Sequence, residues 1–253
     1  MRRFPVFLAV LSLMAAVSAH AAPGFEVGAR GMYWFPDLTA AVKTTVSGVT
    51  GEFDAKNDLG VGDENFPSGE AFLRVGRVHF RVGYTPVSFD GTKDVTQNIT
   101  FNGQTFSAGV NVITSLDLKM ADAEFQFDIL RPDVAVANFN LGAILKVKYV
   151  DGEVELRSGT QTEKKDFKAP IPMLGLGAGA GFLKNMVRAD ARVTGMTYSG
   201  NHLFEGDAFL SFSPVPFFSV QGGYRIIDLK IDEDDIVAKL KMKGPYVGAQ
   251  LSF

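Results

Sequence analysis

From Phe25 onward the chain alternates. FEVGARGMYW (25–34) sets Phe25, Val27, Ala29, Gly31 and Tyr33 against Glu26, Gly28, Arg30, Met32 and Trp34. VHFRVGY (78–84) and ADAEFQFDI (121–129) repeat the scheme, as do Val187 to Val193 and Phe218 to Arg225. A period of two, with one apolar face and one charged or glycine-rich face, marks strands whose two sides meet different surroundings. No stretch of this region shows a helical period or the run of roughly 18 apolar residues that a spanning helix needs.

The connections alternate too. Tight junctions at Gly76-Arg77, Arg131-Pro132-Asp133, Leu183-Lys184-Asn185 and Pro214-Val215-Pro216 take turns with longer polar segments near 36–68, 86–112, 151–167, 199–204 and 228–236. This predicts an up-and-down antiparallel meander of ten strands near 24–35, 69–76, 78–86, 113–130, 134–150, 168–183, 186–198, 204–214, 217–228 and 237–253, with short turns at one end and long loops at the other. TAAVKTTVSGVTGEFDA and DVTQNITFNGQTFSAGVNV read as hairpins centred on Ser47-Gly48 and Asn102-Gly103, standing clear as extensions. Counting either into the barrel would raise the number toward twelve, and merging weak strands would give eight.

Aromatic positions decide which way the apolar face points. Tyr33, Tyr84, Tyr149, Tyr198 and Tyr224, with Trp34 beside the first, stand near the outer ends of strands leaving the short turns. Phe25, Phe139 and Phe218 sit at strand starts, with Phe182 and Phe253 at the same level. Two aromatic rows separated by an apolar band are the girdles of a transmembrane β-barrel. The fold class expected is therefore all-β, a transmembrane up-and-down antiparallel barrel. A soluble periplasmic barrel with its apolar face inward is the competing reading, and it predicts release on osmotic shock.

The other face would be ruinous inside an apolar core. It carries Glu26, Arg30, Glu70, Arg74, Arg81, Asp122, Glu124, Asp128, Lys146, Lys148, Arg188, Asp190, Arg192 and Arg225, with a glycine column at Gly175, Gly177, Gly179 and Gly181. These charges line a narrow lumen, as a plug or as selectivity residues. Opposite signs there should pair, because an unpaired buried charge costs several kcal/mol. The glycine column leaves one wall thin enough for a narrow wet path.

The two ends of the chain agree with a membrane barrel. Residues 1–21 open with Arg2 and Arg3, continue apolar from Phe4 to Val17, and close on Ala19-His20-Ala21, the pattern of a cleaved secretory signal. Its removal takes the formal net charge from −3 to −5 and leaves residues 22–253 as one barrel domain; a mildly acidic exported chain gives no reason to expect nucleic acid as a partner. The chain ends in YVGAQLSF, still alternating. This stretch resembles the carboxy-terminal β-signal of Gram-negative outer membrane proteins at Tyr246, Gly248, Leu251 and Phe253. The resemblance is to the outer membrane β-barrel class, which includes the small OmpA-type and OmpW-type barrels. It implies insertion in the cell outer membrane by the barrel-assembly machinery, among outer membrane lipids and lipopolysaccharide.

Candidate chemistry is sparse. The chain has no cysteine, which removes disulfides, thiolate nucleophiles and an amino-terminal lipoprotein anchor. His79 falls on the inner face beside Arg81. Ser199, His202 and Glu205 contain the atoms of a hydrolytic set within one short loop, but neighbours in a loop do not by themselves converge. The paired Asp-Asp and Asp-His arrangement of the barrel proteases is not evident. Asp228, Asp232, Glu233, Asp234 and Asp235 form an acidic run without EF-hand spacing, so no metal site and no cofactor are expected. The sequence thus reads as a non-enzymatic barrel scaffold displaying outer loops, with narrow porin-like passage of small solutes as a further activity. Its alternative is a lipid- or peptide-modifying hydrolase. The segment 36–68 is the first place to seek a surface ligand, whose nature the sequence leaves open.

Overall fold

A computed structural model describes residues 24–253 except 47, 48, 97, 102, 135, 136, 160, 184, 234 and 235; the proposed signal peptide lies outside the described residues. Ten antiparallel strands form a ring in chain order: β1 (Phe25–Trp34), β4 (Phe66–Val75), β5 (Val78–Asp94), β8 (Asn111–Leu130), β10 (Ala137–Ser158), β11 (Gln161–Phe182), β12 (Val187–Tyr198), β13 (Asn201–Val215), β14 (Phe218–Glu233) and β15 (Ile236–Ser252). β15 returns to β1 from Gly28↔Ser252 to Trp34↔Tyr246, which closes the barrel and leaves no open edge along this seam. All ten expected strands are present.

Beyond Trp34 the first strand bends at Phe35 and Pro36, then continues as β2 (Asp37–Val46), which pairs with the outer half of β15. Gly244 sits against this bend, where a Cβ would collide with the Phe35 carbonyl. β2 turns back into β3 (Val49–Asp54). Helix α1 (Ala55–Leu59) follows, with the Asp54 side chain accepting from the Asn57 N–H and Gly60 ending it at φ +69°. The second expected hairpin is β6 (Ile99–Phe101) and β7 (Gln104–Phe106), paired only with each other. Both hairpins stand outside the ring, as expected; their central residues Ser47, Gly48 and Asn102 lie outside the described residues. A two-residue strand, β9 (Asp133–Val134), pairs with the start of β10.

The expected long loops are a correction. Segments 86–112 and 151–167 are mostly strand, with β10 and β11 paired without interruption from Ala137↔Phe182 to Ser158↔Gln161. Segment 199–204 is a two-residue turn with positive φ at Ser199 and Gly200, the backbone that matches strand twist in a tight hairpin. At 22 residues, β10 spans roughly 55 Å along the axis at a tilt of about 40°, twice the roughly 25 Å apolar band of such barrels. The pairing continues because, beyond the apolar outer band, the strands acquire a second core.

That core comes from an inversion. Along β8, Ala123, Phe125, Phe127 and Ile129 face outward while Asp122, Glu124, Gln126 and Asp128 face the lumen. Beyond Met120 the sides exchange character, with Val112, Leu118 and Met120 buried inside and Asp117 and Lys119 outside. β10 does the same, from inward Lys146 and Lys148 to inward Val150 and Leu156, and β15 passes from outward Val247 to outward Lys243, Lys241 and Lys239. Trp34, Leu38, Phe66, Val87, Phe89, Ile227 and Met242 complete an apolar chamber inside the outer half. α1 caps it with buried Leu59, and Val61 bridges to Gly91, where a side chain would strike the Leu59 carbonyl.

Candidate functional site in the lumen

The lumen is stratified. At the short-turn end, inward side chains are polar and partly wet. His79 Nε2 lies 2.9 Å from Asp128 Oδ2, and Gln126 donates to Asp128 Oδ1 at 2.8 Å. Arg188 grips Asp190 through Nε and Nη2 at 2.8 and 2.7 Å and donates to Asn140 Oδ1 at 2.8 Å. Long side chains crowd the glycine column here. A Cβ at Gly177 would meet Gln126, and one at Gly179 would meet Arg188, Asn140 and Asp190. Long polar side chains from neighbouring strands thus take up part of the space vacated by glycine.

The middle layer is a cross-barrel ionic network. Arg30 Nε on β1 lies 3.0 Å from Glu70 Oε1 on β4, and its Nη2 reaches Asp207 on β13 at 3.4 Å. Arg192 meets the same two carboxylates at 3.2 and 2.8 Å and Glu124 at 3.5 Å. Arg81 pairs with Glu124 at 2.5 Å. Lys148 pairs with Asp122 at 2.5 Å and Glu205 at 2.9 Å, and Lys146 also pairs with Glu205. Arg225 lies 4.0 Å from both Asp122 and Glu205 and over the Trp34 ring. The water-sized space left among these groups is about 40 Å³, room for roughly one water. Above it begins the apolar chamber.

Of the lumen residues singled out from sequence, Arg30, Arg81, Asp122, Glu124, Lys146, Lys148, Arg192 and Arg225 meet in this layer, Asp128, Arg188 and Asp190 below it. Glu26 and Arg74 lie nearer the mouth, in register across β1 and β4. Asp207 was missed, and Glu205 was assigned to a loop. Both belong to the lumen, and the signal was present, since Leu203, Glu205 and Asp207 alternate with Phe204 and Ala208.

The same parity dissolves the hydrolytic set. His202 points outward beside Asp228, with Nε2 and Oδ1 3.5 Å apart, whereas Glu205 points inward onto two lysines; successive strand residues face opposite sides. In the acidic run, Asp228 pairs with Lys241 at 2.9 Å and Asp232 with Lys230 at 2.7 Å. Asp234 and Asp235 lie outside the described residues. Among the described residues no three His, Asp or Glu side chains are grouped to hold a metal ion.

Tyr33, Tyr84, Tyr149 and Tyr224 are exposed on the outer wall, and Tyr84 and Tyr149 flank Ala121 in one register row. Two girdle assignments need correction. Trp34 is 1% exposed and faces inward, its Nε1 donating to the Gly244 carbonyl at 3.1 Å. Tyr198 is 76% exposed but shares the parity of Arg192 and Thr194, so it stands at the rim of the inner wall. Of the terminal stretch, Val247, Leu251 and Phe253 face outward, while Tyr246 is buried.

No family model matches the chain, and no curated protein matches it. Among solved structures, the outer membrane protease OmpT from Escherichia coli superposes with a TM-score of 0.57 at 8% identity, over 90% of this chain and 97% of that one. Ail, the attachment invasion locus protein of Yersinia pestis, gives 0.36 at 13% identity over 91% and 99%, and Neisserial surface protein A gives 0.36 at 15% over 90% and 97%. At these identities the likeness concerns fold. With its closed ring of ten strands, apolar outer band and charged interior, the chain is by fold an outer membrane β-barrel protein.

Proposed function

We propose that the chain sits in the outer membrane as a closed, non-conducting and non-enzymatic barrel carrying a folded platform on its outward side. The stacking of the ionic layer beneath the apolar chamber carries this reading. A hydrated ion would have to part paired charges already removed from water and then enter a region lined by Trp34, Phe66, Phe89 and Met242, each step costing several kcal/mol. This favours the plug over porin-like passage. The non-enzymatic part draws support from the opposed facing of His202 and Glu205.

The platform consists of the β2–β3 hairpin, α1 and the β6–β7 hairpin, and it is the surface offered to a ligand. One register step beyond the tyrosine row stand Lys119 and Lys168, with Lys243 and Lys241 on β15. On this reading they meet the phosphates of outer-leaflet lipids, including lipopolysaccharide. Export by residues 1–21 and insertion through Tyr246, Gly248, Leu251 and Phe253 complete it.

The test is single-channel recording after refolding the mature chain into planar bilayers. Silence from protein that shows heat-modifiable gel mobility is expected. Discrete steps that disappear on replacing Arg192 or Glu124 would overturn the closed-lumen reading.

A further inference from the structure

The short-turn mouth opens into a vestibule of about 570 Å³ inside the barrel. Its lining is unequal. Arg30, Arg81, Arg188 and Arg192 each meet a carboxylate at hydrogen-bond distance or close to it. Arg74, which projects from β4 into the vestibule, does not. Its Nε is buried without an acceptor, and among the described residues its guanidinium has no hydrogen bond or ion pair. Glu26 is its register partner on β1 and yet makes no ion pair with it among the described residues. Ser211, Ser213 and Ser252 contribute neutral hydroxyls to the same cavity.

Burying Nε without an acceptor is costly, and the rest of the half-buried Arg74 guanidinium faces the vestibule. Its planar fork of donors matches an oxyanion, which it can hold through two parallel hydrogen bonds. We propose that the vestibule is a binding site for an oxyanion, a phosphate or carboxylate group entering from the short-turn side, with Arg74 as anchor and the serine hydroxyls as further donors. The site is separate from conduction, since the ionic layer forms its floor.

The mature barrel, refolded in detergent, is titrated into inorganic phosphate and into acetate at fixed ionic strength, with phosphorus and proton NMR line widths as readout and heat-modifiable mobility as the fold control. Wild-type protein and the surface control Lys165→Gln should broaden the resonance of at least one anion. Arg74→Gln should weaken that binding at least tenfold, and Arg74→Lys should fall between. Phosphate broadening alone identifies a phosphate site, and broadening by both identifies a general oxyanion site. No broadening by wild-type protein means the guanidinium is served by water, and equal broadening by Arg74→Gln places the anion elsewhere; either overturns the proposal. A second measurement needs only wild-type protein. The anion that broadens should protect Arg74, and not the rim residue Arg77, from phenylglyoxal as mapped by peptide mass spectrometry, and equal modification with and without it would also overturn the site.

Discussion

The Tyr246 hydroxyl donates to Asp207 Oδ1 at 2.7 Å. The aromatic residue that opens the terminal β-signal-like stretch is thereby tied into the ionic layer, on the carboxylate that also receives Arg30 and Arg192. Tyr246→Phe keeps the ring and removes the donor. It should lower stability by about 1–2 kcal/mol, the cost of leaving a buried acceptor short of one partner, read as an earlier urea midpoint in lipid vesicles. No change in midpoint would mean the arginines already satisfy Asp207.

Arg192 touches three carboxylates. Arg192→Met should cost about 3–5 kcal/mol, because Glu70, Glu124 and Asp207 then share too few cations. Arg192→Met with Glu70→Gln should recover part of that loss. A double variant as unstable as the sum of the singles would show that the two residues are not energetically coupled.

The inversion of facing predicts a boundary on the outer wall. Val147→Arg, within the apolar band, should destabilise the barrel in vesicles by about 2–4 kcal/mol, whereas Ser88→Arg, beyond the tyrosine row and opposite Asp117, should stay within about 0.5 kcal/mol. Equal penalties would place the membrane edge elsewhere.

Asp63 clamps the platform. Its carboxylate accepts from the Leu38 N–H at 2.9 Å and pairs with Lys56 at 2.5 Å. Burial pushes its pKa up, but the hydrogen bonds and charge of these partners outweigh burial and hold it below the ordinary carboxylate range. A depressed folded pKa gives stabilisation that is complete above the unfolded value of about 4 and lost as pH falls through the folded one. Proteolysis of segment 55–63 should therefore quicken on acidification in wild-type protein, while Asp63→Asn should be fast already at neutral pH. A wild-type rate that does not change with pH would remove Asp63 from this role.

Lys239→Gln, Lys241→Gln and Lys243→Gln together should abolish most of the stabilisation that lipopolysaccharide gives over a neutral detergent, with little effect in detergent alone. An unchanged increment would mean that lipid phosphates bind elsewhere on the wall.

The ring of strands was legible because alternation, tight junctions and aromatic ends are local signals. The inward charges were legible for the same reason, each standing between apolar neighbours. What was not legible is the outer chamber. In stretches such as PVSFDGTKD alternation persists but its meaning reverses, and a search for one greasy face reads the reversal as loop. Trp34 failed similarly, since an aromatic at the right height looks like a girdle residue until parity turns it inward. The pairing of Arg30 with Asp207 needed the closed ring, because the two lie on strands that are not sequence neighbours.

The reversal along each strand also settles how far each may slide. In an ordinary two-faced strand, a shift of one residue exchanges the faces and is forbidden, while a shift of two keeps them and costs little beyond its turns. Here a shift of two along β8 would lower Lys119 into hydrocarbon or raise Asp122 into the apolar chamber. Height is thus encoded as well as side, so that a strand inserted two residues out of step finds no compact barrel to join, and assembly can sort correct from incorrect alignment without help from the loops.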